Sequence, residues 1–236
     1  MSKLMSSSEK QLPREILHAY ALGDLDPGVR LLVAAHACYH ADLTREIAID
    51  EAIGGAFLDS TDSADVSSDA LDQVMARLDD ADQANAEEAR LISLAMQDPD
   101  LAGLPAPLRA PTSRAFARGG WRFAAPGVRQ LSLADDPELR GSAVEVNVIR
   151  LEPGRGVPEH SHSGSEMTLV MSGAFRDSRG RFGPGDLSIA TPELTHRPIA
   201  EPGDVCVALA VTDAPLELTG MMGAVQRLLR RASLIN

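Results

Sequence analysis

His160, His162 and Glu166 stand within seven residues of one another, and His196 follows thirty residues after Glu166. They lie in EHSHSGSEMTLVMSG and GPGDLSIATPELTH. Three imidazoles and one carboxylate make a donor set for a divalent metal. It suits Zn²⁺, and equally Fe²⁺, Mn²⁺, Ni²⁺ or Cu²⁺. A lone histidine in such a stretch would be an ordinary surface residue. Here the i, i+2 spacing puts His160 and His162 on one face of a strand. Glu166 can join from the start of the next strand, and His196 can close the set from just before a further one.

The elements around the quartet read as strands. Val144, Val146 and Val148 alternate in AVEVNVI, MTLVM alternates in part, and VCVALAV suits a strand buried on both faces. Turn signals recur at Pro153-Gly154, Ser178-Arg179-Gly180, Pro184-Gly185 and Pro202-Gly203. Short strands at this spacing predict an all-β sandwich or barrel. The tail MMGAVQRLLRRASLIN reads as a short amphipathic helix.

Upstream the pattern is helical. Leu12, Ile16, Leu17, Tyr20 and Leu25 keep helical spacing, and Pro27 suits a helix start. An Ala/Leu-rich run then extends to Gly54-Gly55, and STDSADVSSD reads as a loop. Ser68 or Asp69 suits the cap of another helix, with Leu71, Val74, Met75 and Leu78 on its apolar face. A last run covers 84–96. Four prolines between Asp98 and Pro111 suit a semi-rigid linker. The expected organisation is α+β as separate domains. An all-α helical domain spans 1–97, a Pro-rich linker 98–112, and an all-β barrel with a short C-terminal helix 113–236.

Charge divides unevenly between these parts. Residues 1–100 hold 20 acidic and 7 basic side chains, and the rest hold 14 and 15. The whole net charge of −12 therefore comes from the first part. An acidic surface repels nucleic-acid phosphates, so no direct nucleic-acid binding is expected, and it favours encounter with a basic protein. No apolar run reaches the ~20 residues of a membrane helix, and the start lacks an apolar signal region. Cys38 and Cys206 are far apart and form no CxxC. A cytoplasmic protein without membrane contact is expected.

With glycines included, the first stretch fits G-x(n)-H-x-H-x3-E-x6-G, closing at Gly173. The second fits G-x6-P-x3-H from Gly185 through Pro192 to His196. These resemble the two motifs of the cupin superfamily, over roughly residues 113–220. The resemblance implies a jelly-roll barrel with His160, His162, Glu166 and His196 as metal ligands. The asparagine usual after the second motif's histidine has no obvious counterpart, so only the ligands carry over. VPEHSHSGSEMTLVMSGAF, RFGPGDL and CVALAVTDAPL further resemble the C-terminal domain of the ChrR family. LHAYALGDLDPGVRLLVAAH and SDALDQVMARLDD are similar to its helical domain.

The family's members are cupin-containing anti-sigma factors that partner extracytoplasmic-function sigma factors. The resemblance implies that the helical domain sequesters such a sigma factor. It implies that a zinc-bound cupin domain senses oxidative stress, and that the family's cysteines near Cys206 are candidate redox sensors. It also implies a second zinc in the helical domain, on H-x3-C-x2-C plus an upstream histidine. There this chain departs. His36 matches the motif's histidine, His40 stands at the first cysteine position and Leu43 at the second. Cys38 points ~200° around the helix from His36. On one helix His36 and His40 share a face, and His18 is the nearest third ligand. Three donors make at best a degenerate site, and loss of this zinc is the expectation.

Two function classes follow: a regulator of this family, or a metal-dependent cupin dioxygenase using the same four ligands. For the enzyme, only Glu159 and Glu193 offer acid/base groups beside the ligands. No nucleophile motif or phosphate-binding loop is present.

Overall fold

The computed structural model describes residues 12–214 and 216–218, apart from the side chains of residues 79–83 and 216–218. Six helices come first: α1 (Arg14–Ala21), α2 (Pro27–Ala37), α3 (Ala41–Asp59), α4 (Ala70–Met75), α5 (Leu78–Ala95) and α6 (Ala106–Gly119). Eleven strands follow: β1 (Arg122–Ala125), β2 (Val128–Ser132), β3 (Glu145–Leu151), β4 (His160–His162), β5 (Glu166–Ser172), β6 (Phe175–Asp177), β7 (Gly180–Phe182), β8 (Leu187–Ala190), β9 (Ile199–Ala200), β10 (Cys206–Thr212) and β11 (Leu216–Leu218). Helices then strands is the expected order. The expected C-terminal helix lies outside the described residues.

The strands form a six-stranded antiparallel sheet ordered β1-β2-β3-β10-β5-β8, a pair β11-β4 and a triplet β7-β6-β9. The small sheets face the large one and close the barrel. The chain crosses between them at Gly173, which has φ +64° and sits so close to Val205 that a Cβ would meet its carbonyl oxygen at 2.3 Å. A side chain there would cost both backbone strain and the approach of the two strands.

β10 shows how the two parts of the chain meet. Its first six residues are all buried. Val207, Leu209 and Val211 enter an apolar core shared with helix residues Leu17, Leu32, Val33, Leu43 and Leu108. Cys206, Ala208 and Ala210 turn the other way, into the barrel. Period-two alternation thus lets one strand serve two layers. β3 does the same, with Val146 and Val148 outward and Asn147 and Ile149 inward. The helical and β parts therefore share one continuous core.

Polar contacts fix this docking. Asp26 caps α2 by accepting from Gly28 N at 2.8 Å, and also accepts from Ser142 Oγ at 2.7 Å and Ala143 N at 2.6 Å. Gly28 is pressed onto β3, where a Cβ would meet methyls of Val144 and Val146 at 2.6 Å. The Tyr39 hydroxyl donates to the Met171 carbonyl at 3.2 Å. Arg114 of α6 pairs with Glu88, with Glu138 and with Asp136, whose side chain is fully buried.

Three expectations need correction. The Pro-rich stretch is not a plain linker, because α6 occupies Ala106–Gly119. Pro105 caps it and Pro107 lies in its first turn, where a missing N–H costs nothing. Pro111 does sit in the helix interior, and its burial with Leu108 and Ala115 against the core offsets the lost bond. The long second helix is broken at Cys38–His40 and runs on through Gly54-Gly55, so α3 ends only at Asp59. The apolar face anticipated for Leu71, Val74, Met75 and Leu78 does not enter the core, and all four are exposed.

Candidate metal centre

The four residues singled out by spacing converge at one end of the barrel. His160 and His162 lie on β4, which β11 flanks with Leu218 opposite His160. His196 pairs directly with His160, each backbone N–H donating to the other's carbonyl at 3.0–3.1 Å. Glu166 opens β5 and stands level with Thr212 on β10. All three histidines are buried.

Their ligand atoms lie within 4.8 Å of one another, and among the described residues this is the only cluster of three or more such groups. Glu166 Oε2 is 2.8 Å from His162 Nε2, 3.6 Å from His196 Nε2 and 3.9 Å from His160 Nε2. The Nε2 atoms of His162 and His196 are 3.2 Å apart. Ligands ~2.0–2.1 Å from a tetrahedral zinc would stand about 3.3 Å apart, so the spacing fits. His160 Nε2 and Glu166 Oε2 are buried without a hydrogen-bond partner of sound geometry. Such orphaned donor atoms, aimed at one point, suit a metal better than each other.

The outer atoms are arranged to match. His160 Nδ1 donates to the Pro158 carbonyl at 2.7 Å, since a carbonyl can only accept. That fixes the tautomer and leaves Nε2 with its lone pair facing the cluster. His196 Nδ1 faces Asp177 Oδ2 at 3.4 Å. The Asp177 carboxylate is fully buried and is held by Arg179 through Nη2 at 2.6 Å. Arg179 also donates to Ser188 Oγ at 2.6 Å and to the Ile189 carbonyl at 2.7 Å. Burial raises the Asp177 carboxyl, but His196 and Arg179 outweigh it and bring its pKa down to about 2. Burial likewise works against ionised Glu166, yet the three surrounding imidazoles hold it well below the usual carboxylate range. Burial lowers the pKa of His196, and Asp177 with Glu166 more than reverses this.

A cavity of about 350 Å³ opens beside the cluster inside the barrel, and His160 and Glu166 line it. Glu159 and Glu193 do not. At the far end Cys206 packs with Val128, Val170, Phe175 and Phe182 in an apolar plug. Burial there pushes its thiol pKa up to about 12, so it lacks the thiolate that redox chemistry needs.

The N-terminal histidines are placed differently. His18 is drawn away to Asp50, with Nδ1 2.6 Å from Oδ2 at the surface. His36 and His40 are not on one helix: α2 ends at Ala37 and His40 caps α3. Their rings still meet edge-on at 4.6 Å. His40 Nε2 donates to the Gly185 carbonyl at 2.9 Å, while both nitrogens of buried His36 lack partners. Cys38 is exposed, its thiol 3.4 Å from the Ala34 carbonyl. Only two of the three histidines come together.

Sequence reasoning missed Asp177 and Arg179. They sit in a stretch legible only as a turn, and their role depends on contacts across the barrel.

A helical layer docked on a jelly-roll barrel with a three-His, one-Glu cluster defines a cupin-type protein with an added helical part. Residues 114–215 match the ChrR cupin-like domain family. The chain is 37% identical over 207 residues to the anti-sigma-E factor ChrR of Cereibacter sphaeroides, covering 88% of this chain and 91% of that protein. It also aligns with a chain of the crystal structure of Rhodobacter sphaeroides SigE in complex with the anti-sigma ChrR. That match has TM-score 0.65 and 34% identity over 86% of this chain and 98% of the other. The chain belongs to the ChrR family of anti-sigma factors.

Proposed function

We propose that this chain sequesters an extracytoplasmic-function sigma factor with its helical part and senses oxidative stress with a zinc-bound barrel. The observation that carries the reading is an uncovered apolar face. Ile49, Ile53 and Phe57 follow one another at helical spacing of four on α3, and are 54%, 53% and 71% exposed. Leu58, Leu71, Val74 and Met75 extend the exposed set onto α4. Exposed apolar side chains in this number on two successive helices suit a protein-binding surface. Asp50, Glu51, Asp59, Asp62, Asp69 and Asp72 are interspersed with it. The fitting partner is a protein with an apolar groove and a basic rim, and a sigma factor's polymerase- and DNA-facing surfaces supply basic regions. SigE in complex with ChrR sets the precedent. Such a partner places the protein in the cytoplasm, without direct contact to nucleic acid or membrane.

His160, His162, Glu166 and His196 would hold the metal. Bound zinc would tie β4, β5 and the His196 loop together without redox chemistry of its own. The buried, un-ionised Cys206 leaves the metal centre as the better-placed sensor.

A metal-dependent cupin dioxygenase is the second reading, favoured by the cavity beside the cluster. Apart from the ligands His160 and Glu166, the cavity is lined by one acid/base group among the described residues, Glu145, and this reading gives the uncovered α3–α4 side chains no task. Size-exclusion chromatography of the full chain mixed with its extracytoplasmic-function sigma factor decides between them. The regulator predicts a 1:1 complex in reducing buffer that dissociates on oxidative challenge. Two separate peaks in reducing buffer would overturn it.

A further inference from the structure

The barrel interior keeps a space that the sequence had the means to fill. β10 carries Val207, Leu209 and Val211 on its outer face, but between Cys206 and Thr212 its inner face carries only Ala208 and Ala210. Small barrels ordinarily fill their interiors with side chains. Here two alanines at the centre of the sheet leave a cavity of about 350 Å³, within the size range of small-molecule sites.

The strand register orders its wall. Glu166 is level with Thr212 at the cluster end. One step down, Thr168 stands beside Ala210, with Asn147 across from it on β3. A further step down, Ala208 faces Ile149, with Gln130 alongside on β2. The wall therefore runs from metal ligands through amides and hydroxyls to an apolar floor. No Lys or Arg lines it among the described residues. The nearby Arg179 is committed to Asp177, Ser188 and the Ile189 carbonyl. The carboxylate of Glu145 stands at the rim. A phosphorylated or multiply anionic ligand would find no side-chain cation here, and would meet an acidic rim.

We propose that this cavity binds a small organic molecule, neutral or singly anionic. Its oxygen end faces His160 and Glu166, a second polar group meets the Asn147 amide, and an apolar body rests on Ala208, Ala210 and Ile149. Because Ala208 and Ala210 back directly onto the core shared with α2, occupancy of the site bears on the strand that carries the helical layer. This inference rests on the reading of His160, His162, Glu166 and His196 as a metal centre.

The test uses the full chain loaded with zinc, its metal content measured first, and benzohydroxamate as probe. Its oxygen pair, neutral when protonated and singly charged once deprotonated, and its phenyl ring match the two ends of the cavity. Calorimetry is expected to show 1:1 binding. Ala210→Leu, which fills the space without touching a ligand, should weaken binding at least about tenfold while leaving zinc content at one per chain. Phenyl phosphate, of similar size but doubly charged, should bind at least about tenfold more weakly than benzohydroxamate. If Ala210→Leu does not fold, Asn147→Leu replaces it and should show the same weakening. A zinc-loaded chain that ignores benzohydroxamate, binding that survives the substitution, or equal binding of phenyl phosphate would each overturn the proposal. A chain that takes up no zinc would instead overturn the metal reading beneath it.

Discussion

Leu209 and Ala210 are adjacent on β10 and face different compartments. Leu209 is fully buried in the core shared with the helices, and Ala210 lines the barrel cavity beside the His/Glu cluster. One strand thus separates the proposed sensing site from the helical layer by the thickness of a backbone. A change in barrel packing reaches α2 with no intervening element.

This shared core predicts joint unfolding. Leu209→Ala should destabilise the protein by ~2–5 kcal/mol, the usual cost of such a buried truncation. Urea titrations followed by circular dichroism, which reports the helices, and by fluorescence of Trp121 should shift together. Trp121 is the sole tryptophan and its Nε1 donates to Asp98 at 3.3 Å, where helices and barrel meet. Two separated transitions would show that the parts fold independently.

Asp177 should matter to the metal although it is no ligand. Asp177→Asn keeps the shape but removes the charge that supports His196. Zinc affinity, read by competition with a chromophoric chelator, should drop ~10–100-fold. An affinity equal to that of the wild type would mean that the 3.4 Å approach of His196 to Asp177 has no energetic weight.

His36 gives the protein an acid sensitivity of defined sign. Burial, with a smaller effect of His40, lowers its pKa from 6.5 to about 4. Between those values the unfolded chain binds the proton and the folded one does not. Stability therefore rises with pH across this window and is lost as pH falls through it, by at most roughly 3 kcal/mol. His36→Leu should remove this part of the loss. The stability difference between variant and wild type, measured by urea at pH 7 and pH 5, should shift in favour of the variant at pH 5. Acid effects on the metal ligands are common to both proteins and cancel. A difference independent of pH would contradict the assignment.

The two thiols should separate cleanly. Cys38 is exposed and Cys206 is buried with its pKa near 12. Native protein should react with one equivalent of a thiol reagent at pH 8, and Cys38→Ser with none until denatured. Fast labelling of Cys206 in the native state would reopen a redox role for it.

The convergence of His160, His162, Glu166 and His196 was legible because its signal is local. His160 and His162 need only period-two geometry to share a face, Glu166 opens the next strand, and His196 lies in the loop between β8 and β9. The helix-then-strand order was legible from periodicity. α6 was hidden because proline composition cannot distinguish Pro105 and Pro107 at a helix start from a linker. Helical spacing revealed an apolar face at Leu71, Val74 and Met75 but carries no information on what covers it. The break before His40 and the bond from His40 to Gly185 depend on residues 145 positions apart. Asp177, Arg179 and the cavity alanines likewise acquire meaning only through strand register.

In the proposed function the exposed apolar side chains of α3 and α4 capture a sigma factor. Run-off transcription by RNA polymerase carrying the extracytoplasmic-function sigma factor tests it most directly, with wild type and the double variant Ile53→Asp/Phe57→Asp added in parallel. Both side chains are already exposed, so helix content and zinc content should not change. The wild type is expected to silence transcription and the double variant is not. Equal silencing by both proteins would contradict it.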